Sequence, residues 1–147
     1  MRRETDACRR ILVVDDNERV LFVLRHTLMG LDNRCEIVTA RNGREALDEA
    51  RATSFDLVIT DLRMPGMDGV ELTERIRALN SDTVVIWITA YGCHKVEAEA
   101  ARLSVYECLE KPLKVIEIRQ IAQEALGSTD GQVSTSKQEA GPYRTAS

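Results

Sequence analysis

Apolar residues gather in short runs at nearly regular intervals: Ile11–Val14 (ILVV), Cys35–Ala40 (CEIVTA), Asp56–Thr60 (DLVIT), Thr83–Thr89 (TVVIWIT) and Tyr106–Glu110 (YECLE). The first, third and fourth are almost continuously apolar, the pattern of strands covered on both faces. The second mixes polar and apolar positions, which suits a sheet edge. Between the runs the period becomes helical. Val20, Leu24, Leu28 and Leu31 lie on one stripe, and Ala46, Leu47 and Ala50 lie on another behind a candidate cap, Asn42. Leu72, Ile76 and Leu79 follow Gly69 at helical spacing. His94–Arg102 is rich in Ala and Glu, with Val96 and Ala100 on one side, a weakly amphipathic helix. Pro112 stands where a last helix begins, with Val115, Ile118, Ala122 and Ala125 along it.

Strand–helix alternation repeated along a chain predicts an α/β fold, a parallel sheet with helices on both faces. Right-handed crossovers produce that doubly wound arrangement. Ligands in such sheets sit beyond the carboxyl ends of the strands. After Gly127 the chain turns to Ser, Thr, Gly and Gln with almost no apolar periodicity, and too little surface can be buried there to offset ordering. The expected division is an extension over 1–9, one domain over 10–126 and a flexible polar tail or linker over 127–147.

Composition narrows the function classes. The chain has 147 residues, 44% hydrophobic and 30% charged, with a net charge of −4. That balance gives no basic footprint for nucleic acid or anionic membrane. No apolar run approaches bilayer-spanning length, and the start of the chain does not read as a signal peptide. Four cysteines, Cys8, Cys35, Cys93 and Cys108, fit neither a CxxC motif nor a zinc framework. They are expected to be unpaired thiols in a reducing cytoplasm.

The chemistry-bearing residues fall at the strand ends. The first run ends in Asp15 and Asp16, the third is followed by Asp61, the fourth ends in Thr89, and the fifth is followed by Lys111. Two like charges about 4 Å apart at an effective dielectric near 20 cost on the order of 4 kcal/mol, so clustered carboxylates call for a cation. An all-oxygen donor set suits Mg²⁺. With Lys111 and Thr89 nearby, the cluster has the apparatus of phosphoryl transfer, and a carboxylate can be the nucleophile, Asp61 on a central strand being the natural candidate. Singly, each residue has a blander role: Asp16 or Asn17 as a helix cap, Asp68-Gly69 as a turn. Their joint placement at successive strand ends is what favours a site.

The motifs ILVVDDN, VITDLRMPGMDG, ITAYG and LEKPL, between Ile11 and Leu113, resemble the receiver domain of bacterial two-component response regulators. The resemblance covers roughly Arg10 to Leu126. It implies the flavodoxin-like five-stranded sheet, order 2-1-3-4-5, with five helices. It implies that Asp61 accepts the phosphoryl group, that Asp16 is a direct Mg²⁺ ligand with Asp61 and the Arg63 carbonyl while Asp15 helps through water, and that Ala90 is a cofactor-binding position. Thr89 would bond the phosphoryl group and shift on activation. Lys111 would pair with a phosphoryl oxygen, ahead of a cis bond to Pro112, and Gly66 and Gly69 would shape the loop before the third helix. The implied partners are a sensor histidine kinase or phosphotransfer protein, a downstream protein, and in some cases a second copy of the chain. Such a protein catalyses only its own phosphorylation and dephosphorylation.

Receivers usually carry Tyr or Phe three residues before the Lys. This chain has Cys108 there. Coupling is therefore expected to run through Tyr91 or through backbone shifts between Tyr91 and Leu103. Arg63 and Tyr91 occupy the two positions that tune phosphoryl lifetime in this family. Two other classes fit less well. A haloacid-dehalogenase-like phosphatase needs a second Asp where Arg63 stands, and a flavin-binding carrier needs a phosphate loop where DDNER stands. A receiver fragment of a larger DNA-binding transcriptional regulator remains the alternative to a stand-alone receiver.

Overall fold

In the computed structural model, residues 9–31, 35–90 and 92–128 are described. The apolar runs become strands β1 (Arg9–Val14), β2 (Cys35–Ala40), β3 (Leu57–Asp61), β4 (Val84–Thr89) and β5 (Glu107–Glu110). All pair in parallel, in the order β2-β1-β3-β4-β5. The mixed run β2 is an edge, and only its last residue is fully buried. The central β3 is buried along its whole length, Leu57 to Asp61.

The helices are α1 (Glu18–Met29), α2 (Gly43–Ala52), α3 (Gly69–Leu79), α4 (Glu97–Arg102) and α5 (Val115–Ser128). One apolar layer joins Ile11, Val13, Ile59 and Ile88 of the sheet to Leu24 and Leu28 of α1 and Ile118 and Ala122 of α5. The opposite layer joins Leu12, Val58, Val85 and Trp87 to Leu47 of α2, Leu72 and Ile76 of α3 and Ala100 of α4. The strict alternation of residues along each strand between these two layers explains why the runs are continuously apolar.

Caps fix where three helices start. Asn17 Oδ1 accepts from the Arg19 and Val20 N–H groups, Asn42 Oδ1 from Glu45, and Asp68 Oδ1 from Glu71. Asn17, rather than Asp16, is therefore the α1 cap, which leaves Asp16 to the site. Asp68 is a cap rather than a turn residue alone. The fourth helical segment differs from its single-helix expectation: Cys93–Val96 is a 3-10 turn, and only Glu97–Arg102 is α-helical. The last helix begins at Val115, three residues after Pro112, and runs to Ser128. No helix among the described residues is long and apolar enough to cross a membrane.

Candidate functional site

The sheet register assembles the acids. Val14 lies opposite Thr60, so Asp15 and Asp61 emerge side by side from β1 and β3. Asp15 is anchored by its N–H to Ala40 O at 3.1 Å, and its Oδ1 accepts from Asn17 N at 2.9 Å. One oxygen from each of Asp15, Asp16 and Asp61 falls within 4.8 Å of the others. Asp15 is fully buried and Asp61 is 4% exposed, whereas Asp16 faces solvent.

Lys111 enters from the far side. Its N–H donates to Thr89 O at 2.8 Å, which ties the end of β5 to the end of β4. Its Nζ lies 3.2 Å from Asp15 Oδ2 and 3.4 Å from Asp61 Oδ2. The Lys111–Pro112 bond is cis. Burial opposes the Lys111 charge, but attraction from Asp15 and Asp61 outweighs it and the pKa is raised. Burial also raises the Asp15 carboxyl, reinforced by the Asp61 charge and opposed by the Asn17 N–H and Lys111.

The loop after β3 is held against the site. Arg63 N donates to Asp61 Oδ1 at 3.4 Å. Gly69 N donates to Leu62 O at 3.0 Å. A Cβ at Gly69 would stand 2.4 Å from Asp61 O and 2.8 Å from Leu62 Cα, so only glycine lets α3 start this close to the end of β3. Gly66 in the same loop has φ +81°. Thr89, 3% exposed, ends β4 one residue past Ile88, the register partner of Asp61. It lines a groove of about 590 Å³ with Arg63, Met64, Gly92 and Lys95. Ala90 follows in an exposed bend. Tyr91 lies outside the described residues, as do Cys8 and most of the polar tail.

The residues present fit a hard divalent cation. Three carboxylates face a single ammonium, and Asp15 Oδ2, a buried oxygen, meets Lys111 at ion-pair distance without receiving a well-formed hydrogen bond. The donors are all oxygens, and the exposed Asp16 leaves a side open to water, as Mg²⁺ prefers.

One expectation is overturned. Cys93 and Cys108 form a disulfide, with Cα atoms 5.9 Å apart. The spacing of 15 residues matches no local motif, and only the return of the chain from α4 into β5 brings the sulfurs together. Two further features had no sequence signal. Glu110 Oε2 accepts from both Gly92 N and Cys93 N at 3.1 Å. Trp87 Nε1 donates to Thr73 Oγ1 at 2.8 Å, and Thr73 Oγ1 donates to Gly69 O at 2.8 Å.

The doubly wound sheet thus gathers an acid cluster and a lysine at the carboxyl ends of its strands. The model of the response regulator receiver domain matches residues 11–123, and the chain belongs to that family. It is 36% identical over 119 residues to the transcriptional regulatory protein ZraR of Klebsiella oxytoca, covering 81% of this chain and 26% of that protein. The chain thus spans about a quarter of the length of such curated relatives. Among solved structures, Vibrio cholerae chemotaxis protein CheY4 matches with a TM-score of 0.74 and 28% identity over 81% of this chain and 99% of that one. A signal receiver domain of an HD domain-containing protein from Pseudomonas fluorescens Pf-5 matches at 0.78 and 29% identity, covering 85% of this chain and 99% of that one.

Proposed function

We propose that this chain is a Mg²⁺-dependent phosphoryl acceptor of two-component signalling, with Asp61 as the nucleophile. The observation that carries this is the Asp61 carboxylate, 4% exposed at the end of the central strand, beside Lys111 at 3.4 Å and within 4.8 Å of Asp15 and Asp16. An Asp61 oxygen attacks the phosphorus of a phosphohistidine on a sensor kinase or phosphotransfer protein. The O–P bond forms as the P–N bond breaks, and the histidine leaves. The Lys111 ammonium neutralises a phosphoryl oxygen, the Thr89 hydroxyl donates to another, and Ala90 offers backbone to the same group. Asp15, Asp16, Asp61 and the Arg63 carbonyl are the groups that would hold Mg²⁺. When bound, Mg²⁺ supplies the positive charge that offsets the transferring oxygens. Water later cleaves the acyl phosphate, so turnover is confined to the chain's own modification.

The receiver unit of this reading spans 10–126, flanked by an extension and a polar tail, and works in the cytoplasm. Its output surface is the α4–β5–α5 face, offered to a downstream protein or to a second copy. A second reading has specific support: the ZraR relatives are named transcriptional regulatory proteins and are about four times longer than the matched region, with 26% covered. On that reading the chain is the receiver portion of a longer DNA-binding regulator.

The test is incubation with Mg²⁺ and a small acyl phosphate, followed by intact mass measurement. Wild type should gain one phosphoryl group and Asp61→Asn none. Labelling that survives Asp61→Asn would sink the assignment.

A further inference from the structure

We propose that Cys93 and Cys108 form a redox-controlled clasp that couples thiol oxidation to phosphorylation of Asp61; the proposal rests on the receiver reading above. Cys108 stands on β5 where the family carries its switch aromatic, and it is 5% exposed. Cys93 opens the 3-10 turn that follows β4 and is half-buried. The bond therefore joins the segment just beyond Thr89 to the neighbouring strand. That segment is the one expected to shift when Thr89 engages a phosphoryl group.

The surroundings favour re-closure of the bond after reduction. Glu110 Oε2 holds the Gly92 and Cys93 N–H groups at 3.1 Å, and Gly92 adopts φ +93° to present them. This second clasp is independent of sulfur chemistry. It keeps the two thiols close after reduction, so closing the bond again costs little loop entropy. The partial exposure of Cys93 gives a reagent access to one sulfur while Cys108 waits behind it as the resolving thiol. A disulfide in a reducing compartment is ordinarily transient and redox-sensing.

A low-molecular-weight disulfide serves as the oxidant. The Cys93 thiolate attacks one sulfur of the reagent and expels a first thiol. Cys108 then attacks the Cys93 sulfur of the mixed disulfide and expels a second. The two thiol protons leave on the two released thiols, and the reagent is reduced by two electrons. Reduction by a dithiol reverses both steps.

A bond that fixes Cys93 against Cys108 favours the state with that geometry and opposes any state that moves the loop. Coupling is reciprocal: oxidation disfavours the phosphorylated arrangement, and phosphorylation favours reduction. Trp87, the only tryptophan, is the register partner of Cys108 and shares its apolar layer. Its fluorescence, which an adjacent disulfide quenches, reports the bond directly.

The experiment poises the full chain with oxidised or reduced glutathione, counts free thiols by alkylation and mass, then adds Mg²⁺ and a small acyl phosphate. Oxidised glutathione should protect Cys93 and Cys108 together and dim Trp87. The reduced chain should hold about fivefold or more phosphoryl at Asp61 at equal donor. Cys93→Ser and, separately, Cys108→Ala should accept phosphoryl alike under both conditions. Free alkylation of both thiols after oxidation overturns the clasp, and equal labelling of the oxidised and reduced chains overturns the coupling. A redox effect that persists in Cys93→Ser also overturns it. Absence of label at Asp61 in both redox states would instead fail the receiver reading, and the coupling would fall with it.

Discussion

The Lys111 ammonium lies 3.2 Å from Oδ2 of Asp15, an oxygen that burial keeps from water. One lysine thus serves two buried carboxylates, since Asp61 Oδ2 is at 3.4 Å. The Asp15 pKa is raised above 3.8, first by burial. A carboxyl raised on folding stabilises the fold while protonated, and that contribution is lost as the pH climbs through its folded pKa. Lys111, raised above 10.5, stays charged throughout this window.

The consequence concerns metal addition. At higher pH the ionised acids repel, and a divalent cation relieves that repulsion; at lower pH the cation must first displace a proton from Asp15. Saturating Mg²⁺, at about a hundred times its dissociation constant, should stabilise the domain by about 2.7 kcal/mol. The gain in melting temperature should shrink as the pH falls through the raised Asp15 pKa. Chelation should reverse it. A gain independent of pH would show that Asp15 takes no part in holding the ion.

The backbone contact of Gly69 gives a second prediction. An added methyl would meet Asp61 O at 2.4 Å and Leu62 Cα at 2.8 Å, both main chain, so no rotamer change relieves the clash. Gly69→Ala should cost about 1–3 kcal/mol in urea unfolding. It should also slow acyl phosphate labelling of Asp61, because the strand end must move. A variant with wild-type stability and labelling would show that α3 backs away freely.

Trp87 and Thr73 tie β4 to α3 directly behind that contact. Both are 0% exposed, and the indole N–H has the Thr73 hydroxyl as its acceptor. Thr73→Val keeps the shape but strands a buried donor, at about 1–3 kcal/mol. Trp87→Phe in the same chain removes the donor as well. The double variant should therefore lose less than the sum of the singles in a denaturation cycle. Additive losses would mean that the hydrogen bond contributes nothing of its own.

Much of the fold was legible because it depends on local pattern. The continuous apolar character of β3 and β4 and the helical stripes of α1 and α3 mark the elements, and the strand-end rule groups Asp15, Asp16, Asp61 and Lys111. What escaped depends on pairs remote in sequence. Cys93 meets Cys108 across 15 residues, and Glu110 reaches Gly92 across 18. No periodicity encodes such contacts, since they arise from sheet register and loop return. The break of the fourth helical segment also escaped. Ala and Glu favour helix only from Glu97 on, where the α-helix lies, whereas Cys93–Val96 carries neither and, tied to β5 through Gly92 and Cys93, forms a tighter turn.

Arg77 offers the last prediction. It sits in the final turn of α3, and its guanidinium donates to Leu103 O at 2.9 Å, Ser104 O at 3.0 Å and Thr83 O. Ser104 itself has φ +57°, so this turn into β5 holds a backbone conformation that L residues rarely adopt. Burial lowers the Arg77 pKa, but guanidinium remains charged in proteins. Its planar fork is what satisfies several carbonyls at once, and an ammonium lacks that geometry. Arg77→Lys should therefore lose nearly as much stability as Arg77→Met, about 2–3 kcal/mol for the charge-assisted bonds. Amide exchange should accelerate first across Leu103–Tyr106, the turn that leads into β5, ahead of the central β3. If Arg77→Lys matches wild type in urea unfolding, the charge alone holds the turn and the carbonyl fork is incidental.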